Sequence, residues 1–152
     1  MFNIVLVHPD IPQNTGNIVR TCAATNSILH LIKPLGFSVS DKYLKRAGLD
    51  YWSHATVKIY NSFEEFEEKN PGNYFLVTSK GSRSYTDFKF KTGDYLIFGS
   101  ETAGLPDSIH EKYRDTRMRI PMIEGIRCLN LSNAVAVIIY EGERQNSFNG
   151  FV

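Results

Sequence analysis

The run that most constrains this chain lies near its end, where Ala134-Val-Ala-Val-Ile-Ile139 follows Asn130-Leu-Ser-Asn133. A helix built from that run has almost no polar face, so it has to be covered on more than one side. Asn130, Ser132 and Asn133 are N-cap types, because their side chains accept hydrogen bonds from the free N–H groups of a first helical turn. The spacing predicts a buried helix over residues 131–144, entered through a tight loop that leaves a short strand at 117–120.

The rest of the chain alternates. Strand-like runs fall at 3–7, 29–32, 56–60, 74–78, 95–99 and 117–120, and helix-like segments at 17–25, 41–47, 62–69, 107–113 and 131–144. That alternation predicts an α/β fold, a mostly parallel sheet with helices on both faces. Pattern alone predicts an un-knotted doubly wound topology, since knots are essentially absent from proteins. We see no linker or repeat, and expect one domain over residues 1–152. Gly81-Ser-Arg-Ser-Tyr85 reads as the most loop-like stretch.

With 42% hydrophobic and 22% charged residues, the composition is that of a soluble globular protein. No apolar run reaches the roughly 18 residues a spanning helix needs, and Met1 leads into a strand rather than a signal peptide. The expectation is a cytoplasmic protein with no membrane contact. Cys22 and Cys128 have no framework spacing, so no structural disulfide is expected. Net charge is only +1, from 17 basic and 16 acidic residues. Acidic residues concentrate at Glu64-Glu65-Phe66-Glu67-Glu68, read as a solvated helix face. Basic ones recur at Lys42, Lys45 and Arg46, at Lys80 and Arg83, and at Arg114, Arg117, Arg119 and Arg127. Two readings stay open: a mixed charged surface, or a basic face for nucleic acid formed across a dimer.

Several chemistries lose their support here. The first strand–helix turn, Pro9-Asp-Ile-Pro-Gln-Asn-Thr-Gly16, lacks the Gly-x-Gly-x-x-Gly that lets a backbone approach a pyrophosphate. There is no P-loop. His8, His30, His54 and His110 have no ligand spacing and neither cysteine has a CxxC partner, so no metal site is expected. His30 sits inside a strand pattern and reads as structural.

Three segments carry the functional signal. Pro12-Gln-Asn-Thr-Gly-Asn-Ile-Val-Arg20 follows the first strand and opens a helix. Phe98-Gly-Ser-Glu-Thr-Ala-Gly-Leu-Pro106 follows a buried strand, with Gly99 and Gly104 suited to positive φ and close backbone approach, and Pro106 to the first turn of a helix. The third is Ile120-Pro-Met-Ile-Glu-Gly-Ile-Arg-Cys-Leu-Asn-Leu-Ser-Asn133. In this order they resemble the three signature motifs of the SPOUT, or α/β-knot, methyltransferases, most closely the minimal TrmL (YibK) group. The resemblance runs from Asn3 to about Gln145 and includes Lys45-Arg-Ala-Gly-Leu-Asp-Tyr51. It implies a C-terminal trefoil knot and S-adenosyl-L-methionine as methyl donor; a homodimer is expected because the last helix is apolar beyond what one sheet face can cover. The substrate that the resemblance implies is the anticodon stem-loop of tRNA, with 2′-O-methylation of the wobble cytidine or carboxymethylaminomethyluridine.

Loops at the carboxyl ends of strands are the usual ligand-binding place in open α/β sheets. By resemblance, Val77, Thr78, Gly99, Ile120, Met122 and Cys128 contact the cofactor, largely through backbone groups. Many relatives have Ser where this chain has Cys128, and a thiol is the poorer hydrogen-bond partner. Arg20, Asn14, Glu101, Asn130 and Ser132 match the motif residues assigned to catalysis. Arginine is almost never deprotonated, so Arg20 reads as a grip on the neighbouring phosphate and on developing alkoxide charge, or else as a helix-surface cation. Glu101 would position Asn or Arg groups or face the sulfonium. Asn130 and Ser132 either orient the nucleotide or cap the last helix. Two alternatives to wobble methylation stand beside it: the same chemistry at another tRNA or rRNA site, and a non-catalytic knotted RNA-binding module.

Overall fold

A computed structural model describes the backbone of all 152 residues and the side chains of all but residues 48–50; the Gly48-Leu-Asp50 part of the motif stretch quoted above therefore lies outside the described side chains. Seven strands form one sheet: β1 (Asn3–Val7), β2 (Ile28–Ile32), β3 (Thr56–Tyr60), β4 (Tyr74–Val77), β5 (Arg83–Ser84), β6 (Tyr95–Phe98) and β7 (Arg117–Arg119). The spatial order is β3-β2-β1-β6-β4-β7-β5, and every neighbouring pair is parallel. Parallel pairing needs crossover connections. They are made by α1 (Pro12–Ala24), α2 (Lys42–Gly48), α3 (Phe63–Lys69) and α4 (Asp107–Lys112), while α5 (Leu131–Gln145) ends the fold.

Alternation along the strands sorts side chains to two faces. Ile4 and Leu6 of β1, Leu96 and Phe98 of β6, and Leu29 and Leu31 of β2 pack with Ile18, Val19 and Cys22 of α1 and Val135, Ile138 and Ile139 of α5. Val5, Val7, Ile97 and Leu76 pack on the opposite face with Phe63 and Phe66 of α3 and Ile109 of α4. His30 is buried on the sheet, held by Tyr60 Oη and Asn3 Oδ1, each at 3.0 Å. Its role is structural, as its strand position implies.

Three expectations need correction. The stretch taken as most loop-like contains β5, which pairs with β7 at the sheet edge; two residues are too few to show a period. Helix α1 starts at Pro12, not residue 17, so Asn14 lies in its first turn rather than in a loop. The last helix is covered on one side only within this chain: Val137 is 37% and Tyr140 45% exposed. Its docking is nonetheless close, since a Cβ at Gly142 would lie 2.7 Å from the Phe2 ring. Gln145 Nε2 donates to the Phe88 carbonyl at 3.1 Å and Asn146 Nδ2 to that of Phe90 at 3.1 Å, tying down its far end. Among the described residues no helix is long and apolar enough to cross a membrane.

Candidate active site

Strands β1 and β6 are parallel neighbours whose following helices go to opposite faces of the sheet, α1 to one and α4 to the other. The loops that leave them must diverge, and a crevice opens between them at the carboxyl edge. A cleft of about 490 Å³ lies there, within the range of small-molecule sites. Val77, Thr78, Gly99, Ile120, Met122 and Cys128 all line it, brought together from the ends of β4, β6 and β7. Phe98, Leu105, Leu129, Leu131 and Ala134 complete its apolar lining.

One wall is a hydrogen-bonded chain of the motif residues. Glu101 accepts from the main-chain N–H of Asp10 at 2.8 Å and of Ile11 at 3.1 Å, and from Asn14 Nδ2 at 3.1 Å. Asn14 Oδ1 accepts from Asn130 Nδ2 at 2.9 Å. Asn130 Oδ1 caps α5, accepting from the Ser132 N–H at 2.9 Å and the Ser132 hydroxyl at 2.6 Å. The carboxylate of Glu101 is thus occupied by three donors, an arrangement suited to holding the loop against α1. Asn130 thus caps α5 through its Oδ1 and joins the cleft wall through its Nδ2.

The glycines divide their tasks. Gly104 adopts φ +69°, the left-handed region. Gly99 serves close approach: a Cβ there would sit 2.2 Å from the Gly104 carbonyl carbon and 2.3 Å from the Leu105 nitrogen. The motif loop doubles back through the paired Ser100 and Gly104 backbones.

Arg20 does not line this cleft. Six residues beyond Asn14, it lies roughly 9 Å farther along α1, exposed, with its guanidinium 5.1 Å from the Tyr51 ring centroid. Ser132 also stands outside the lining and reaches it through Asn130. The structure adds residues that the motif reading did not place in the cleft: Lys80, His110, Arg119 and Arg127. Lys80 pairs with Asp107 at 3.2 Å, whereas Arg119 and Arg127 have no carboxylate partner among the described residues. His110 is 3% exposed; burial, then the nearby Lys80 and Arg117 charges, hold its pKa below the usual histidine value. Its one sequence signal was its place beside Ile109 in a short helix. Among the described residues no group of three or more His, Cys, Asp or Glu is placed to hold a metal ion.

Comparisons with known proteins fit this geometry. The tRNA (cytidine(34)-2′-O)-methyltransferase of Methylovorus glucosotrophus is 48% identical over 154 residues, covering 100% of both chains. A solved structure described as giving structural insights into the 2-OH methylation of C/U34 on tRNA superimposes with a TM-score of 0.92 at 43% identity, over 98% of each chain. The SpoU methyltransferase AviRb from Streptomyces viridochromogenes, in complex with the cofactor AdoMet, superimposes with a TM-score of 0.85 at 26% identity, over 95% of this chain and 57% of that one. The family model matches residues 1–140, and the chain belongs to the SpoU rRNA methylase family.

Proposed function

We propose that this chain transfers a methyl group from S-adenosylmethionine to the ribose 2′-oxygen of the wobble nucleotide of tRNA, cytidine or carboxymethylaminomethyluridine 34. The observation that carries the reading is the cleft itself, with apolar walls for a purine and a wall of motif side chains along one edge. The names of near-full-length relatives point the same way.

The cleft fits the cofactor in size and in chemistry: Val77, Thr78, Gly99, Ile120, Met122 and Cys128 would hold it. When bound, it supplies an electrophilic methyl on a positive sulfonium. The chain's own residues do the rest. The Glu101–Asn14–Asn130–Ser132 chain keeps the start of α1 and the start of α5 at a set separation, which fixes where an incoming ribose can stand. Arg119 and Arg127, without acidic partners, grip RNA phosphates at the cleft mouth. Arg20 holds the phosphate beside the reacting ribose and stabilises negative charge as it develops on the 2′-oxygen.

Arg20 sits outside its own chain's cleft, and the uncovered Val137 and Tyr140 of α5 lie on the helix packed beside α1. We therefore take the working form to be a homodimer joined along this face. We likewise take the unit to be a single domain whose last helix threads a trefoil knot, working in the cytoplasm where tRNA is processed.

The test is a methylation assay on unmodified tRNA with labelled S-adenosylmethionine, followed by mass spectrometry of the nucleosides. We expect one 2′-O-methylated nucleotide at position 34. Methylation at another position would move the assignment to a different RNA site, and tRNA binding without transfer would leave only a binding module. Light scattering should give the mass of two chains.

A further inference from the structure

We propose that His110 is a cofactor-binding residue, its Nε2–H donating a hydrogen bond to S-adenosylmethionine in the cleft; this rests on the methyltransferase reading above. Asn14, Glu101 and Asn130 are bonded to one another, and Lys80 to Asp107. Among the described side chains lining the cleft, His110 alone carries a fully buried polar atom with no partner, Nδ1.

A neutral imidazole has one N–H and one lone pair. Placing the proton on Nδ1 would bury an unmet N–H, the group that native structures almost never orphan. The proton therefore belongs on Nε2, which is not among the fully buried unpartnered atoms, in a residue that lines the cleft. Ile109 anchors the short helix α4 in the core, and the next residue, His110, lines the cleft together with Leu105. Charge agrees with it. Burial and the nearby Lys80 and Arg117 keep the ring neutral at pH 7, so it presents a donor without repelling a sulfonium cation.

The acceptor is either on the nucleoside half, a ring nitrogen or ribose oxygen, or is the carboxylate of the amino-acid tail. Two ligands separate these: S-adenosylhomocysteine carries both halves, and 5′-deoxy-5′-methylthioadenosine lacks the tail.

The experiment is calorimetric titration of both ligands into the wild-type chain and into His110→Leu, His110→Gln and His110→Asn, with a melting curve for each. We expect His110→Leu to weaken S-adenosylhomocysteine on the order of tenfold, the size of one lost hydrogen bond. His110→Gln should recover most of the loss, since its amide N–H lies near the Nε2 position, and the shorter His110→Asn should not. Equal weakening of methylthioadenosine assigns the nucleoside half; an unchanged methylthioadenosine affinity assigns the tail. Wild-type affinity in folded His110→Leu overturns the proposal, as does equal binding by the Gln and Asn variants. A wild-type chain that binds neither ligand overturns the methyltransferase reading instead.

Discussion

Asn14 and Glu101 stand 87 residues apart in the chain and are joined by a hydrogen bond of 3.1 Å from Asn14 Nδ2 to Glu101 Oε1. The same carboxylate takes the N–H groups of Asp10 and Ile11, where the start of α1 concentrates positive partial charge. Ile11 caps α1 with no side-chain hydrogen bond of its own. Glu101 supplies from the loop after the neighbouring strand β6 what a local N-cap would otherwise supply, and in doing so closes one wall of the cleft.

Glu101→Gln should therefore cost stability as well as activity. The amide brings N–H donors to a point already surrounded by donors, and part of a charge-assisted set is lost. We expect a loss of about 1–2 kcal/mol in urea unfolding and a lower melting temperature. A carboxylate acting only as a solvent-facing base would leave unfolding unchanged.

Arg20→Ala should behave in the opposite way. The residue lies outside the cleft of its own chain, so S-adenosylhomocysteine affinity should stay within about twofold. Single-turnover methylation should fall on the order of a hundred- to a thousandfold, the usual size for loss of one donor to developing oxyanion charge. Arg20→Lys should recover little, because an ammonium lacks the planar fork that holds two oxygens. Near wild-type turnover in Arg20→Ala would leave Arg20 a surface cation stacked on Tyr51.

The two thiols should be told apart by reagent. Cys22 is buried and burial pushes its pKa up to about 12, which leaves it without reactive thiolate. Cys128 is exposed in the cleft lining. A thiol-specific chromogenic reagent should titrate one thiol per native chain and two after denaturation. S-adenosylhomocysteine should slow the native reaction several-fold, which reports occupancy of the cleft without any assay of turnover.

Acid should destabilise the fold through His30. Burial, with help from Lys58, lowers its pKa from 6.5 to about 4. Between these values the unfolded chain binds a proton that the folded chain refuses. Stability is therefore full above about pH 6.5 and falls as pH drops toward 4, by up to about 3 kcal/mol. His110, also lowered, adds to the same trend. His30→Gln should be less stable at pH 7, losing bonds to Tyr60 and Asn3, yet should show a flatter acid limb in urea unfolding measured from pH 7 to 4.

Much of the fold was legible locally. The strand at Asn3–Val7 lies where its apolar run put it, because a buried parallel strand writes its burial into consecutive residues. The end of the last strand and the start of α5 were equally plain, since Asn130 caps that helix with its own side chain. The six residues assigned to the cofactor fall in one cleft because β4, β6 and β7 are parallel and end on the same edge, and the stretch from β7 to α5 that carries Met122 and Cys128 runs along it.

What the sequence determined by itself is the set of elements and the edge on which their loops meet. Only the tertiary structure decided where α1 begins, because its first N–H groups near Ile11 are met by Glu101 rather than by a neighbour in the chain. It also decided that Arg20 stands outside the cleft while His110 stands inside, and that one side of α5 is left open at Val137 and Tyr140. These features depend on contacts between residues far apart in the chain, and periodicity, capping and turn chemistry are all properties of neighbours.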